Sequence, residues 1–352
     1  MRIAQVAPLF EAVPPKLYGG TERVVSFLTE ELVRLGHEVT LFASGDSETS
    51  ARLVPHWPRA MRLDNSVRDW IAPHMHMMEM VRRRAPEFDV VHSHFDYFPL
   101  GLFSRCETPL ITTLHGRLDL PELHPIYAAF DHMPLISISD AQRRPMPKAG
   151  WLATVYHGLP DDLLVPLPLE RRYLAFLGRI CPEKRVDHTI RIAERAGLQL
   201  KIAAKVDQAD REYFEAEIRP LIDASPHVEM IGEINDSQKS AFLSGALALI
   251  FSIDWPEPFG LAMIEAMACG TPVIAFNRGS VPEIVEQGVT GFIVENVDEA
   301  VAALGQLGKL HSECIRAEFE RRFTARRMAK DYVALYEELL PATVQPLLRA
   351  GT

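Results

Sequence analysis

Residues 21–36 read TERVVSFLTEELVRLG and lie between two short apolar runs, RIAQVAP (2–8) and EVTLFAS (38–44). Val24, Phe27, Leu28, Leu32 and Leu35 recur at the spacing that sets them on one stripe of an α-helix. Thr21 is a candidate N-cap and Gly36 a candidate C-terminal stop. The flanking runs are apolar throughout, as strands are when both faces of the sheet are covered. Strand, helix and strand of this kind are the repeating unit of a parallel sheet. The unit recurs in DVVHSH (89–94), LITTLH (110–115), LISIS (135–139) and ATVYHG (153–158). After PDDLLVPLPLER (160–171), a proline-rich break, it starts again. The second set is RYLAFLGRI (172–180), LQLKIAAKV (198–206), HVEMIGEI (227–234), LALIFSI (247–253), TPVIAF (271–276) and GFIVEN (291–296). A helix is expected around Val186, Ile190 and Ala193, and FTARRMAKDYVALYEELL reads as a long terminal helix with Met328, Tyr332, Leu335 and Leu339 at helical spacing.

The expected fold is therefore α/β, with two doubly wound, Rossmann-like parallel-sheet domains facing across a cleft. The boundaries are an N-terminal domain over 1–160, a linker over 161–171, a C-terminal domain over 172–323, and a helix over 324–352 packing back towards the N-terminal domain. Ligands bind such sheets outside the carboxyl ends of the strands, so functional residues should collect there.

The whole chain narrows the class. Its 352 residues exceed one comfortable core. Thirty-seven lysines and arginines against 47 acidic residues give a formal charge of −10, which weighs against nucleic-acid binding. Arg82-Arg83-Arg84 and Arg143-Arg144 read as solvated helix faces. Four scattered cysteines suggest neither a disulfide framework nor a cysteine-rich metal site. The start, MRIAQVAPLF, lacks a signal-peptide pattern, and no run approaches the ~20 apolar residues of a membrane span. A cytoplasmic protein with at most peripheral membrane contact is expected.

Three constellations follow strand ends. In DWPEPFGLAMIEAMACG (254–270), a proline-stiffened loop delivers the chain to a helix mouth, where the amides of Phe259, Gly260 and Leu261 favour an anion. Gly260 permits close approach of a ligand to the backbone. Glu257 stands in the loop, and Glu265 lies on the helix among apolar neighbours. A carboxylate on a buried helix needs a partner: the hydroxyls of a ribose would serve, and so would a protein cation. In FLGRICPEKR (176–185), Arg179 and Lys184 suit a diphosphate, although a solvated basic loop reads the same way. In KLYGGTERVV (16–25), Gly19-Gly20 feeds a helix, though a glycine pair often marks only a turn. Neither G-x-G-x-x-G nor the P-loop pattern occurs.

His92, His94 and Asp96 alternate in HSHFD, a spacing metals can use, but a metal is not the favoured reading. His115 ends a strand beside Gly116. There is no D-x-D pair, which removes a common way of carrying a ligand on a metal, and with no G-x-S-x-G elbow and no H-E-x-x-H hydrolase readings have no support.

Taken in order, these motifs resemble glycosyltransferase family 4, the retaining enzymes of the GT-B fold. The resemblance rests on G-G-x-E (Gly19, Gly20, Glu22), His115-Gly116, the G-R…K element (Gly178, Arg179, Lys184), E-x7-E with EPFG (Glu257 to Glu265), and G-x-x-P-E-I-V at 279–285. It implies that Glu257 and His115 contact the donor sugar, that Glu265 holds the ribose, and that Arg179 and Lys184 hold the diphosphate, approached by Gly20. The implied catalytic set is His115, Arg179, Lys184 and Glu257. The implied donor-binding set adds Gly19, Gly20, Lys205, Gly232, Phe259, Gly260, Leu261 and Glu265. It further implies no cofactor and no metal, a nucleotide-sugar donor such as UDP-glucose, and a small-molecule, saccharide or lipid acceptor. Arg185 stands where a glycine often follows the lysine, and Gly279-Ser280 replaces a double glycine. The alternative class is a non-hydrolysing sugar-nucleotide epimerase of the same fold, which would turn over a nucleotide sugar without an acceptor.

Overall fold

A computed structural model describes residues 1–16 and 19–340, and contacts divide the chain into two units, Met1–Gly158 with the segment from Ala325 onward, and Leu159–Thr324. The first unit holds seven parallel strands: β1 (Arg2–Val6), β2 (Glu38–Ser44), β3 (Arg52–Trp57), β4 (Val90–Ser93), β5 (Leu110–Thr113), β6 (Leu135–Ser137) and β7 (Trp151–Thr154). Their order in the sheet is β3-β2-β1-β4-β5-β6-β7. The second unit holds six: β8 (Tyr173–Arg179), β9 (Gln199–Lys205), β10 (Val228–Gly232), β11 (Ala246–Phe251), β12 (Val273–Phe276) and β13 (Gly291–Val294), in the order β10-β9-β8-β11-β12-β13.

In each sheet the first strand is flanked by the second and the fourth. Ile3 aligns with Val39 of β2 and Val90 of β4, and Leu174 of β8 aligns with Leu200 of β9 and Ala248 of β11. Chain order therefore reverses at β1/β4 and at β8/β11. The loops leaving those strands diverge to opposite faces of the sheet and open a crevice at its carboxyl edge. The continuous apolar strands make this arrangement stable, since both sheet faces are covered. Phe42, Leu100 and Leu135 are buried in one core, and Ile190, Ile202 and Ile274 in the other.

Several boundaries differ from the sequence reading. β3 (RLVPHW) lay in a stretch read as loop; it is an edge strand, half-exposed and carrying Pro55, so it lacks the apolar run of a covered strand. β7 ends at Thr154 rather than near 158. Helix Gly20–Arg34 is capped by Gly19, one turn edge earlier than Thr21, and Gly36 follows it with φ +86°. The stretch read as a linker, 161–171, belongs to the second unit: the amides of Val165 and Leu167 donate to the hydroxyls of Ser240 and Ser244.

Helix Ala325–Leu339 belongs to the first unit and buries Met328, Ala329, Tyr332 and Tyr336, a stripe shifted from the expected one, in which Leu335 and Leu339 are only half-buried. The remainder of the terminal segment, 341–352, lies outside the described residues. All four cysteines are free, and the arginines at 82–84 pair with Glu79 and Glu87 on the surface. Among the described residues no helix is long and apolar enough to cross a membrane.

Candidate functional site

The second unit gathers most of the expected site residues at its switch point. Arg179 is the last residue of β8, and the chain then enters a short turn, Pro182–Lys184. Glu257 lies in the loop after the neighbouring strand β11. The amide of Asp254 donates to the Glu183 carbonyl at 2.9 Å, which ties the two loops together. The Lys184 ammonium pairs with Oε2 of Glu257, and the Trp255 indole donates to the same oxygen at 3.1 Å. Lys184 Nζ also lies 5.3 Å from the ring centre of Phe251 and 5.4 Å from that of Trp255. Two aromatic faces and a carboxylate thus hold the ammonium in one place, with some favourable cation–π energy.

The helix Leu261–Ala268 begins behind this loop. Gly260, its N-cap, has φ +83°, and a β-carbon there would stand 2.6 Å from Met263 and 3.0 Å from Phe251. The first helical residue is Leu261, so Phe259 and Gly260 precede the helix rather than opening it. The segment 279–283 braces the loop from below. Gly279 has φ +54°, and a β-carbon on it would fall 2.3 Å from the Glu257 carbonyl oxygen and 2.4 Å from the Glu257 nitrogen. Ser280 donates its amide to Glu257 O (3.0 Å) and its hydroxyl to Phe259 O (2.8 Å). Its own φ is −78°, so the second glycine of the familiar pair is unnecessary here and the serine adds a bond. Gly279→Ala is expected to cost about 1–3 kcal/mol and to shift the Glu257 loop. Unchanged melting temperature and unchanged nucleotide affinity in that variant would contradict the bracing role.

Glu265 has a protein partner. Its Oε1 accepts from Lys239 Nζ at 2.5 Å; Lys239 is on helix Asp236–Ser244 and also meets Asp236 at 3.2 Å. The carboxylate is 5% exposed and the lysine 8%. Of the two partners left open by the sequence, the protein cation is present. Lys239 was missed because it stands in a polar stretch, NDSQKS, where only the capping box of Asn235 and Gln238 has a sequence signal.

Arg179 is also engaged by acids. Asp207 and Asp210, just beyond β9, lie 3.7 and 3.4 Å from its guanidinium, and Lys205 at the end of β9 pairs with Asp207 at 2.8 Å. These long contacts leave the Arg179 side chain 36% exposed, and they orient it without enclosing it. Gly232 ends the adjacent strand β10. Arg185, in the usual glycine position, does adopt left-handed geometry (φ 48°, ψ 53°), which costs an ordinary residue about 1–2 kcal/mol. Its two-pronged pair with Asp187, at 2.9 Å on both prongs, and the Ser252 hydroxyl on its carbonyl at 2.8 Å offset that strain.

Gly19, Gly20 and His115 lie in the first unit, after β1 and β5. Glu22, two residues into the helix, is buried, and desolvation pushes its carboxyl up to about 7. Tyr18 and Leu17 of the same loop lie outside the described residues. His115 belongs to a histidine network that spacing did not reveal: His94 Nδ1 is 2.9 Å from His115 Nε2, and His94 Nε2 is 2.8 Å from Gln5 Oε1. His92 bonds to Tyr336 OH and Thr113 Oγ1 at 2.7 and 2.8 Å. Asp96 has φ 38°, so the chain has turned before it and the alternation of HSHFD does not persist. Among the described residues no cluster of three His, Cys, Asp or Glu is placed to hold a metal ion.

Two family models match the chain. Glycosyltransferase Family 4 matches residues 18–190, and Glycosyl transferases group 1 matches residues 165–322. Together they span both units, and the chain belongs to glycosyltransferase family 4, with the GT-B fold. A phosphatidyl-myo-inositol mannosyltransferase of Mycobacterium leprae is 26% identical, with 96% of each chain covered. A D-inositol 3-phosphate glycosyltransferase of Mycolicibacterium smegmatis is 25% identical over 80% of this chain and 76% of its own. In fold, the chain is similar to the Anabaena HepE protein in complex with UDP and glucose, with a TM-score of 0.74, 17% identity, and coverage of 96% of this chain and 99% of that one. The protein is a glycosyltransferase.

Proposed function

We propose that this glycosyltransferase moves a hexose from a UDP-sugar, UDP-glucose being the first candidate, to a hydroxyl acceptor with retention of configuration and without a metal ion. The observation that carries this reading is the grouping of Arg179, Lys184 and Glu257 at the carboxyl ends of β8 and β11, beside the start of helix Leu261–Ala268. The two cations would take the diphosphate, and the helix amides would add fixed positive dipoles. Departure of the sugar places negative charge on the diphosphate, and these groups stabilise it in advance, so no metal bridge is required. Glu257 would face the sugar, Glu265 the ribose, and His115 a sugar hydroxyl. The acceptor hydroxyl would attack from the leaving-group side and pass its proton to a phosphate oxygen, which removes the need for a strong protein base. The HepE complex supports UDP as the nucleotide only through fold likeness, and the inositol-directed relatives make an inositol-containing acceptor the first to try.

The test is a panel of UDP-, GDP-, ADP- and dTDP-sugars with inositol, saccharide and lipid acceptors, run with and without EDTA. Transfer from a UDP-sugar that is unchanged by EDTA is the expected result. Activity that disappears with EDTA and returns with Mn²⁺ would overturn the metal-free reading. Conversion of a nucleotide sugar without acceptor would turn the assignment to an epimerase.

A further inference from the structure

We propose that Gln5 and His94 are positioning residues that lock His115 in one tautomer, with its proton on Nε2 and its Nδ1 left as a bare acceptor for a substrate hydroxyl. Gln5 lies in the carboxyl half of β1, and His94 and His115 follow the carboxyl ends of β4 and β5, neighbouring strands at the switch point of the first sheet. The assignment follows the bonds outward from Gln5. Its Oε1 lies 2.8 Å from His94 Nε2, and an amide oxygen can only accept, so His94 carries its proton on Nε2. Burial and neighbouring histidines hold His94 well below its ordinary pKa, so the ring is neutral and has a single proton. Its Nδ1 is then an acceptor, and the atom 2.9 Å away, His115 Nε2, must donate. Burial pushes His115 down to about 3, so it too is neutral and its Nδ1 has no proton.

That Nδ1 is buried and has no hydrogen-bond partner among the described residues. A buried polar atom left unpaired costs stability, so an acceptor kept in this state suits a ligand that brings a donor. The ring is held in orientation by stacking on His157, with centroids 5.2 Å apart and planes 18° off parallel. The start of the relay is held as well. Gln5 Nε2 lies 3.2 Å from Tyr336 OH and 3.4 Å from His92 Nδ1, and Tyr336 OH is 2.7 Å from that same nitrogen. With its NH₂ group turned towards this pair, the amide presents oxygen to His94. The opposite amide orientation would reverse every later bond and place a proton on His115 Nδ1. The two states differ in chemistry. A bare Nδ1 accepts from a hydroxyl, whereas a protonated one would seek a phosphate or carbonyl oxygen.

The hydroxyl ligand rests on the reading of His115 given under the proposed function; the tautomer does not. The deciding measurement is long-range ¹⁵N–¹H correlation of the imidazole nitrogens in uniformly labelled, unliganded protein, with His115 signals identified by their loss in His115→Asn. A proton on His115 Nε2 and an unprotonated Nδ1 are expected, and a proton on Nδ1 would overturn the proposal whether or not the enzyme is active. Gln5→Leu removes the acceptor that orients His94. It should give mixed His115 tautomers and lower kcat/KM for transfer about tenfold, while Gln5→Glu, which keeps an acceptor, restores the single tautomer and most of the rate. A Gln5→Leu enzyme with mixed tautomers and wild-type kcat/KM would also overturn it, because the tautomer would then have no bearing on substrate.

Discussion

Lys239→Ala is expected to destabilise the unliganded protein by about 3–5 kcal/mol, the usual result of removing one partner from a buried ion pair. Lys239 and Glu265 are 8% and 5% exposed and meet at 2.5 Å. The alanine variant leaves the Glu265 carboxylate on a helix whose other buried residues, Met263, Ile264, Ala266, Met267 and Ala268, are all apolar. Glu265→Gln should also be destabilising, since it exchanges the charged acceptor for a neutral amide oxygen and leaves the ammonium with Asp236, at 3.2 Å, as its charged partner. The double variant Lys239→Met/Glu265→Leu removes both charges and should recover most of the lost stability. It also separates the two roles of Glu265. If the carboxylate holds the ribose in addition to its lysine, the double variant is stable but binds UDP about five- to thirtyfold more weakly. Differential scanning calorimetry of the three variants and titration calorimetry of the stable one are sufficient. An unchanged melting temperature in Lys239→Ala would show that the pair does not bear on stability, and normal UDP affinity in the double variant would remove Glu265 from the nucleotide site.

The second large effect is on turnover. Lys184→Ala is expected to lower kcat/KM by roughly tenfold to a hundredfold, the loss of about 1.5–3 kcal/mol that accompanies removal of a charge-assisted contact. Arg179→Ala should do the same with less effect on the fold, because its carboxylate contacts are at 3.4 and 3.7 Å and the side chain is one-third exposed. Lys184 differs: it neutralises Glu257, which is 8% exposed and otherwise meets the Trp255 indole. Its removal should therefore also lower the melting temperature. A double-mutant cycle between Lys184→Ala and Glu257→Gln should show losses well short of additive, because either change alone breaks the same pair. Near-normal kcat/KM in both single variants at 179 and 184 would take the diphosphate away from this loop.

These effects show which parts of the molecule were legible in the sequence. The second sheet was readable strand by strand: β8, β11, β12 and β13 are largely apolar, and β9 and the half-exposed edge strand β10 keep apolar residues on both sides of Lys201 and Glu229, between glycine, proline and polar turns. Order within the sheet follows from its doubly wound architecture. β3 was not readable, since an edge strand with a proline and a half-exposed face carries neither an apolar run nor strict alternation. Loop positions at strand ends were readable as places: Arg179 and Lys184 flank a turn that starts where β8 ends, whereas Gly260, read for close approach of a ligand, is a glycine for reasons of backbone angle and space against Met263 and Phe251. What spacing could not show is who pairs with whom. Lys239 reaches Glu265 from 26 positions away, and Asp207 and Asp210 reach Arg179 from the turn that follows the next strand. The histidine network joins residues from β1, β4, β5 and the terminal helix. Such partners are set by tertiary packing, and each side chain alone resembles an ordinary polar residue.

The most direct test of this account is a crystal structure of the protein with UDP. The diphosphate should lie at the carboxyl ends of β8 and β11, within hydrogen-bond distance of Arg179 and Lys184, with the ribose near Glu265 and the first amides of helix Leu261–Ala268. Ordered UDP that leaves Arg179 and Lys184 untouched, or that lies away from the β8/β11 edge, would contradict it.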